Sequence, residues 1–204
     1  MKTIVKSITL FLIVLWGQAS FAQFPVNSKT GGVEFSGIEK LEGLSKEEIY
    51  ERAKLWMLSN LKSGDNMFEL NKNENYLIGS VNLVLDKILI SETPLVYADH
   101  INLNFKLTFF LKENRYKYKL SNFTLSYGIV GYFSDGLGAQ SYAQSINTGL
   151  KDIDYGLIFD FEYKKKPEKK EAFSSELKSK VQSAIDSEID HFKSYMREPN
   201  EWDW

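Results

Sequence analysis

Cysteine is absent from the sequence. That excludes disulfides, thiolate catalysis, cysteine-bound zinc and iron–sulfur clusters together. It also excludes the bacterial anchor that is acylated on an N-terminal cysteine. Histidine is scarce, with only His100 and His191, and there are four prolines in 204 residues. No surplus of positive charge exists either: 25 basic residues against 27 acidic ones leave a formal charge of −2. A chain with that balance lacks the electrostatic footprint of a general nucleic-acid binder. Long apolar runs are missing except for a short one at the very start.

What the chain does contain is an ordinary globular composition, 43% apolar and 25% charged, outside the range of disordered segments. Fourteen Phe and eleven Tyr favour strands. The length suits one ordinary domain with a core of its own.

Residues 1–22 have the three parts of a secretory leader. Lys2 and Lys6 give a positive start, Ile8 to Trp16 a short apolar core, and Ser20-Phe21-Ala22 small residues before Gln23. A spanning helix needs about 20 apolar residues, and Gly17-Gln18 interrupts too soon. Loss of the two lysines with the leader takes the formal charge from −2 to −4. The expected product is periplasmic or secreted, with no transmembrane segment in the mature chain.

Along the mature chain, Val33, Phe35 and Gly37-Ile38 read as a first strand. Ser45 with Glu48 has the form of a capping box, with Leu44 and Ile49 as its staple. Ile49, Ala53, Trp56 and Asn60, flanked by Leu55 and Leu61, give a helix over 45–62 one apolar face. Met67 to Leu70, the polar tract 71–75 and Tyr76 to Leu85 read as a hairpin, with Gly79 marking a bulge. The clearest alternation in the sequence runs from Ile101 to Lys112. Ile101, Leu103, Phe105, Leu107, Phe109 and Leu111 share one face; Asn102, Asn104, Lys106, Thr108 and Lys112 share the other. After a tight turn at Glu113-Asn114, Tyr116, Tyr118 and Leu120 alternate with Arg115, Lys117 and Lys119. Such a pair makes an antiparallel hairpin with one face buried and one wet. Gly128 to Ile153 reads as loop or a short helix, Leu157 to Lys164 as a strand and Lys164 to Lys170 as a charged connector. Phe173, Leu177, Val181, Ile185, Ile189, Phe192 and Met196 mark a long amphipathic helix over 172–196. Residues 199–204 are an irregular tail.

Gly32-Val33-Glu34-Phe35, Leu44-Ser45-Lys46 with Ile49-Tyr50, Ala53 and Trp56, then Ile78-Gly79, Phe105-Lys106-Leu107 and Asn114-Arg115-Tyr116-Lys117-Tyr118 carry a resemblance. The chain resembles an exported bacterial family, domain of unknown function 4468, over roughly residues 31–127. That resemblance implies a TBP-like fold with β-α-β(n)-α order. It transfers no catalytic residue, and its fold label implies nothing about DNA.

Five cations on the hairpin's polar face form the candidate site: Lys106, Lys112, Arg115, Lys117 and Lys119. A basic patch there attracts an anionic glycan, a phosphate-bearing envelope component or an acidic protein; the plain alternative is a solvated strand face guarded by lysine. The adjacent pairs Asp99-His100 and Asp190-His191 lack metal-ligand or triad spacing. Asp152 with Asp154, and Asp160 with Glu162, are co-facial acids if extended, the raw material of glycoside hydrolysis, yet such pairs arise by chance in an acid-rich chain. Asn71, Asn73 and Asn75 lack the carboxylates and central glycine of a calcium loop. Gly136-Leu137-Gly138 lacks the rest of a phosphate loop. Asn122-Phe123-Thr124 matches a glycosylation signal inside a strand, where a bacterial leader makes it coincidental. Trp202 and Trp204 either dock a partner or fold back on the core.

The sequence therefore leads to an α+β domain, an antiparallel sheet of about five to six strands with two helices on one face. It spans 23–198, with a core over 31–127 and an additional loop or strand region over 128–170. The leading function is an exported, non-catalytic binding or interaction module of the bacterial envelope, with an anionic glycan or an envelope protein as partner. The alternative is an exported hydrolase acting on envelope glycans or esters. No cofactor, metal or nucleic acid is expected.

Overall fold

Alternation of apolar and polar residues through 101–112 and 115–120, broken at Phe110, builds the spine of the molecule. The computed structural model describes residues 24–60, 69–71, 75–92, 95–134, 139–149 and 167–198. Its elements are β1 (Phe35–Lys40), α1 (Lys46–Asn60), β2 (Glu69–Asn71), β3 (Tyr76–Leu85), β4 (Ile88–Glu92), β5 (Leu95–Lys112), β6 (Arg115–Ser134), β7 (Ala139–Gly149) and α2 (Pro167–Arg197). β5 and β6 form one long antiparallel hairpin in which Lys112 faces Arg115 and Leu95 faces Tyr132. Short strands flank it. β3 and β4 pair with β5 on one side, β1 and β7 pair with β6 on the other, and β2 extends β3. All these pairings are antiparallel, and the architecture is α+β.

Both helices lie on the inner face. Leu103, Phe105, Leu107, Phe109, Tyr116, Tyr118, Leu120 and Leu125 point to that side and are buried. α1 presents Ile49, Ala53, Trp56 and Met57; α2 presents Phe173, Leu177, Val181, Ile185, Phe192 and Met196. Fully burying one such side chain is worth about 1.5–3 kcal/mol. The centre is aromatic: Trp56 meets Phe109 and Phe192 edge-on, with ring centroids 6.1 and 5.8 Å away. Phe192 also meets Tyr118 at 4.9 Å. These edge-to-face arrangements match negative ring faces to positive edges.

Polar contacts fix the helix ends. Glu48 N–H donates to Ser45 Oγ at 3.3 Å, and Ser45 N–H donates back to Glu48 Oε2 at 2.7 Å, the reciprocal box expected of the sequence. Arg52, 8% exposed, donates from Nη1 to the carbonyls of Met196 and Glu198 at 3.0 and 2.6 Å. It thereby places a cation on the negative C-terminus of α2. From β1, Glu39 accepts from Lys193 Nζ at 2.9 Å and Arg197 Nη2 at 2.5 Å. Burial raises the Glu39 pKa, but those two cations outweigh it and hold the carboxyl below its ordinary value.

Several expectations need correction. Within Gly128 to Ile153 the described residues, 128–134 and 139–149, are strand and not loop or short helix: β6 runs on to Ser134 and pairs with β7. Backbone hydrogen bonds define that pairing, so glycine and serine can occupy it without an apolar rhythm. β5 begins at Leu95, six residues before the alternation becomes regular. Gly79 makes no bulge, since β3 keeps an unbroken register against β5. The irregularities lie at Leu89/Ser91, Asp99/Asn102 and Asn104/Lys106. The connector's end at 167–170 is already helical, with Pro167 at the first position, where its missing N–H costs nothing. On α1 the buried face takes Arg52 and Met57, while Leu55 and Leu58 are exposed. The leader, the last residues of the 45–62 helix, the 157–164 strand and the 199–204 tail lie outside the described residues.

Gly37 in β1 is irreplaceable for a steric reason. A Cβ there would stand 2.6 Å from Cζ of Tyr118. That ring cannot retreat, because Phe192 lies against it and Lys193 Nζ sits 5.1 Å from its centroid. Gly37→Ala is therefore expected to lower stability by about 1–3 kcal/mol through overpacking. Urea unfolding checks it; an unchanged midpoint would contradict the contact.

Candidate functional site

The sheet's outer face carries the five cations singled out above, and the strand register shows how they are arranged. On β5 the outward positions are Asn102, Asn104, Lys106, Thr108, Phe110 and Lys112; on β6 they include Arg115, Lys117, Lys119, Thr124 and Ser126. Lys112 is paired with Arg115, and Arg115 with Lys40 of β1. Two residues along, Ile38, Lys117, Phe110 and Tyr76 form one row across four strands. In the next row Lys119 faces Thr108, and Lys106 lies beyond it opposite Ser121. Neighbouring strands are about 4.8 Å apart and alternate residues about 6.6–7 Å, so the structure brings all five cations onto one surface, joined by Lys40. Between 36–40, 76–84, 102–112 and 115–126, no outward strand position holds a carboxylate.

The cations are not equivalent. Lys119 Nζ is 2.6 Å from Glu34 Oε2. That hydrogen bond is the main reason the Glu34 carboxyl titrates below its ordinary value; burial opposes it, and Asn27, donating to Oε2 at 2.7 Å, assists. Lys119 is thus neutralised within the chain. Lys112, Arg115 and Lys117 are exposed and Lys106 is half-buried.

Sequence reasoning missed the apolar part of this surface. Phe110 is 42% exposed on the polar face, and Ile38 on β1 is 64% exposed. Tyr76 tilts against Phe110 with centroids 6.5 Å apart. Phe110 also borders a depression of about 500 Å³ with Lys46, Asn75, Lys112, Glu113 and Arg115. The available signal was Phe110 itself, an aromatic at a polar position of an otherwise regular alternation. Farther along, Asn82 Nδ2 donates to Asn104 Oδ1 at 2.6 Å. A second cleft, about 720 Å³, separates the edge of β1 from α2, with Glu34, Phe35, Tyr118, Asp186, Ile189 and Lys193 on its walls. Its charges are mixed.

Among the described residues, the two histidines have no catalytic group assembled around them. His100 sits within β5 at a bulge, with φ of 52°. Left-handed backbone there turns its ring back toward Asp99, Nδ1 to Oδ2 3.7 Å, with the side chain 86% exposed. His191 is exposed and lies edge-on to Trp56 at 6.0 Å. Burial raises the carboxyl pKa of Glu188, one turn earlier, and His191 partly offsets it. No nucleophile is hydrogen-bonded to that pair among the described residues. Nor do the described residues contain a cluster of three or more metal-ligating side chains. Asn122 lies in β6 at φ of 55°. The acids at 152–162, Gly136-Leu137-Gly138, Asn73, Trp202 and Trp204 fall outside the described residues.

Residues 35–126 match the family described as "Domain of unknown function (DUF4468) with TBP-like fold". Two solved structures are similar. One is a TBP-like protein from Parabacteroides distasonis, 16% identical, covering 86% of this chain and 99% of its own, with a TM-score of 0.47. The other is a DUF4468 family protein from Bacteroides ovatus, also 16% identical, covering 86% of this chain and 92% of its own, with a TM-score of 0.50. At that identity the second likeness speaks to fold alone. No curated protein matches the chain.

The Glu34–Lys119 pair gives the site a testable internal brake. Glu34→Gln is expected to free Lys119 and tighten binding of a polyanion at neutral pH. A carboxylate with a depressed pKa keeps its ion pair above its ordinary titration range and loses it as pH falls through the lowered value. The advantage of the variant should therefore vanish in acid. Polyanion titrations at neutral and acidic pH check this, and an equal difference at both would contradict it.

Proposed function

Residues 35–126 match the DUF4468 family with its TBP-like fold, and from the surface described above we propose that the protein is an exported, non-catalytic binding module of the bacterial envelope. Its working surface is the outer face of the sheet. One observation carries this reading: Lys40, Lys106, Lys112, Arg115 and Lys117 share that face, form no ion pair among the described residues, and have no outward carboxylate between them. In a chain with negative formal charge, such segregation creates a local positive field that steers anions. The helices support the reading from the other side, since both bury their apolar stripes on the inner face and leave the outer one free of them. The three-part leader at 1–22 supports export. The hydrolase reading has no specific observation in its favour among the described residues.

Two measurements test the proposal. Intact-mass analysis of exported protein should find a chain beginning at Gln23; one beginning at Met1 would contradict cleavage. Reversing Lys106, Arg115 and Lys117 to Glu should abolish retention on an anionic envelope fraction while leaving the melting temperature nearly unchanged, because exposed and half-exposed strand positions contribute little to packing. Wild-type retention should weaken as salt rises. Equal retention of both proteins would contradict the proposed surface.

A further inference from the structure

The outer face is more than a field of charge, and its uncharged parts narrow the partner. We infer that it binds an acidic polysaccharide, with one sugar ring stacked on Phe110 and the acid groups met by the surrounding cations. This rests on the binding-module reading above and gives it a ligand class and an anchor residue.

Three features favour a glycan over other polyanions. The first is Phe110, an aromatic ring held half-exposed on a strand rather than on a loop. Its neighbours in the row are Lys117 on one side and Tyr76 on the other, with Lys112 two residues along β5. A flat ring whose C–H groups meet the Phe110 face there would have its carboxylate or sulfate within reach of Lys117, Lys112 or Arg115. The depression bordered by Phe110, Lys112 and Arg115 gives a substituent somewhere to sit. The second feature is the remainder of the face. Beyond Lys106 it continues as Ser80, Asn82, Asn102, Asn104, Thr124 and Ser126, amide and hydroxyl side chains suited to sugar hydroxyls. The Asn82–Asn104 bond uses one donor and one acceptor of that amide pair and leaves the others unspent. The third is distance. Phe110 and Asn104 are six residues apart on one strand, roughly 20 Å, a span for an oligomer and not a single sugar.

Other occupants fit less well. A bilayer would reward a continuous apolar surface, but the exposed Ile38, Phe110 and Val84 are separated by lysines and asparagines. A purely electrostatic partner, such as an acidic peptide tail, would use the lysines and gain nothing from the ring or the amides.

The test compares four probes by calorimetry at fixed salt: polygalacturonate, neutral dextran, polyglutamate matched in charge, and phosphatidylglycerol vesicles. Wild-type protein should bind polygalacturonate more tightly than polyglutamate, and dextran weakly or not at all. Phe110→Ser should weaken polygalacturonate roughly tenfold, the scale of one lost ring contact, and leave polyglutamate unchanged. Phe110→Tyr keeps the ring and should keep the affinity, which separates stacking from misfolding. If Phe110→Ser lowers both polyanions alike, or lowers neither, the sugar subsite is overturned while the basic surface stands. Binding to vesicles without binding to polygalacturonate would overturn it in favour of a lipid surface. If none of the three anionic probes binds, the basic-surface reading falls with it.

Discussion

The pairing register of β5 with β6 is the constraint on which everything else rests. These strands hold 18 and 20 residues, and side chains alternate across a sheet with a period of two. A slip by one residue would send Phe109, Tyr116 and Tyr118 into solvent and bring Lys117 and Lys119 under the helices. The turn pins the register. Asn114 takes a left-handed conformation, φ 59°, which asparagine tolerates. Its Oδ1 accepts from Gly43 N–H at 2.9 Å, its carbonyl from Leu41 N–H at 2.8 Å, and its own N–H donates to the Leu44 carbonyl at 3.0 Å. The hairpin tip is thereby tied to the loop that starts α1. One irregular residue fastens strand register, helix start and the direction in which every cation points.

From that register follows the division of the sheet into a covered side and a working side. On the covered side, the β1 edge is locked to α2 by Glu39 with Lys193 and Arg197, and α1 to the end of α2 by Arg52. These charges are spent on architecture. Across the sheet, Lys119 alone among the described outward cations is spent, on Glu34. The same residue types therefore do opposite work on the two sides, and the difference lies in whether a carboxylate stands within reach.

Legibility in the sequence followed the range of the interaction. Ser45 with Glu48, the 101–120 alternation and the Phe173-to-Met196 stripe are local patterns, and each gave a correct element. The two-helix α+β layout and the co-facial placement of the five cations followed from them. The resemblance over 31–127 agrees with the family match over 35–126. What escaped notice depended on distant partners. Lys119 meets Glu34 across 85 positions of sequence, and Arg52 finds the α2 carbonyls across more than 140. β7 pairs through its backbone, so its serine and glutamine content concealed it. Phe110 was visible as a break in the polar face, yet only its row with Lys117 and Tyr76 gives it meaning.

The outer face must be open in the free protein and covered when a ligand binds. Lysine acylation rates, read by mass spectrometry with and without polygalacturonate, test this in a single sample. In free protein, Lys40, Lys112 and Lys117 should react fast and Lys119, held by Glu34, slowly. With polysaccharide present, Lys106, Lys112 and Lys117 should be protected while Lys54 on α1 is not. Slow reaction of the outer lysines in free protein, or protection that falls on the helices instead, would contradict the account.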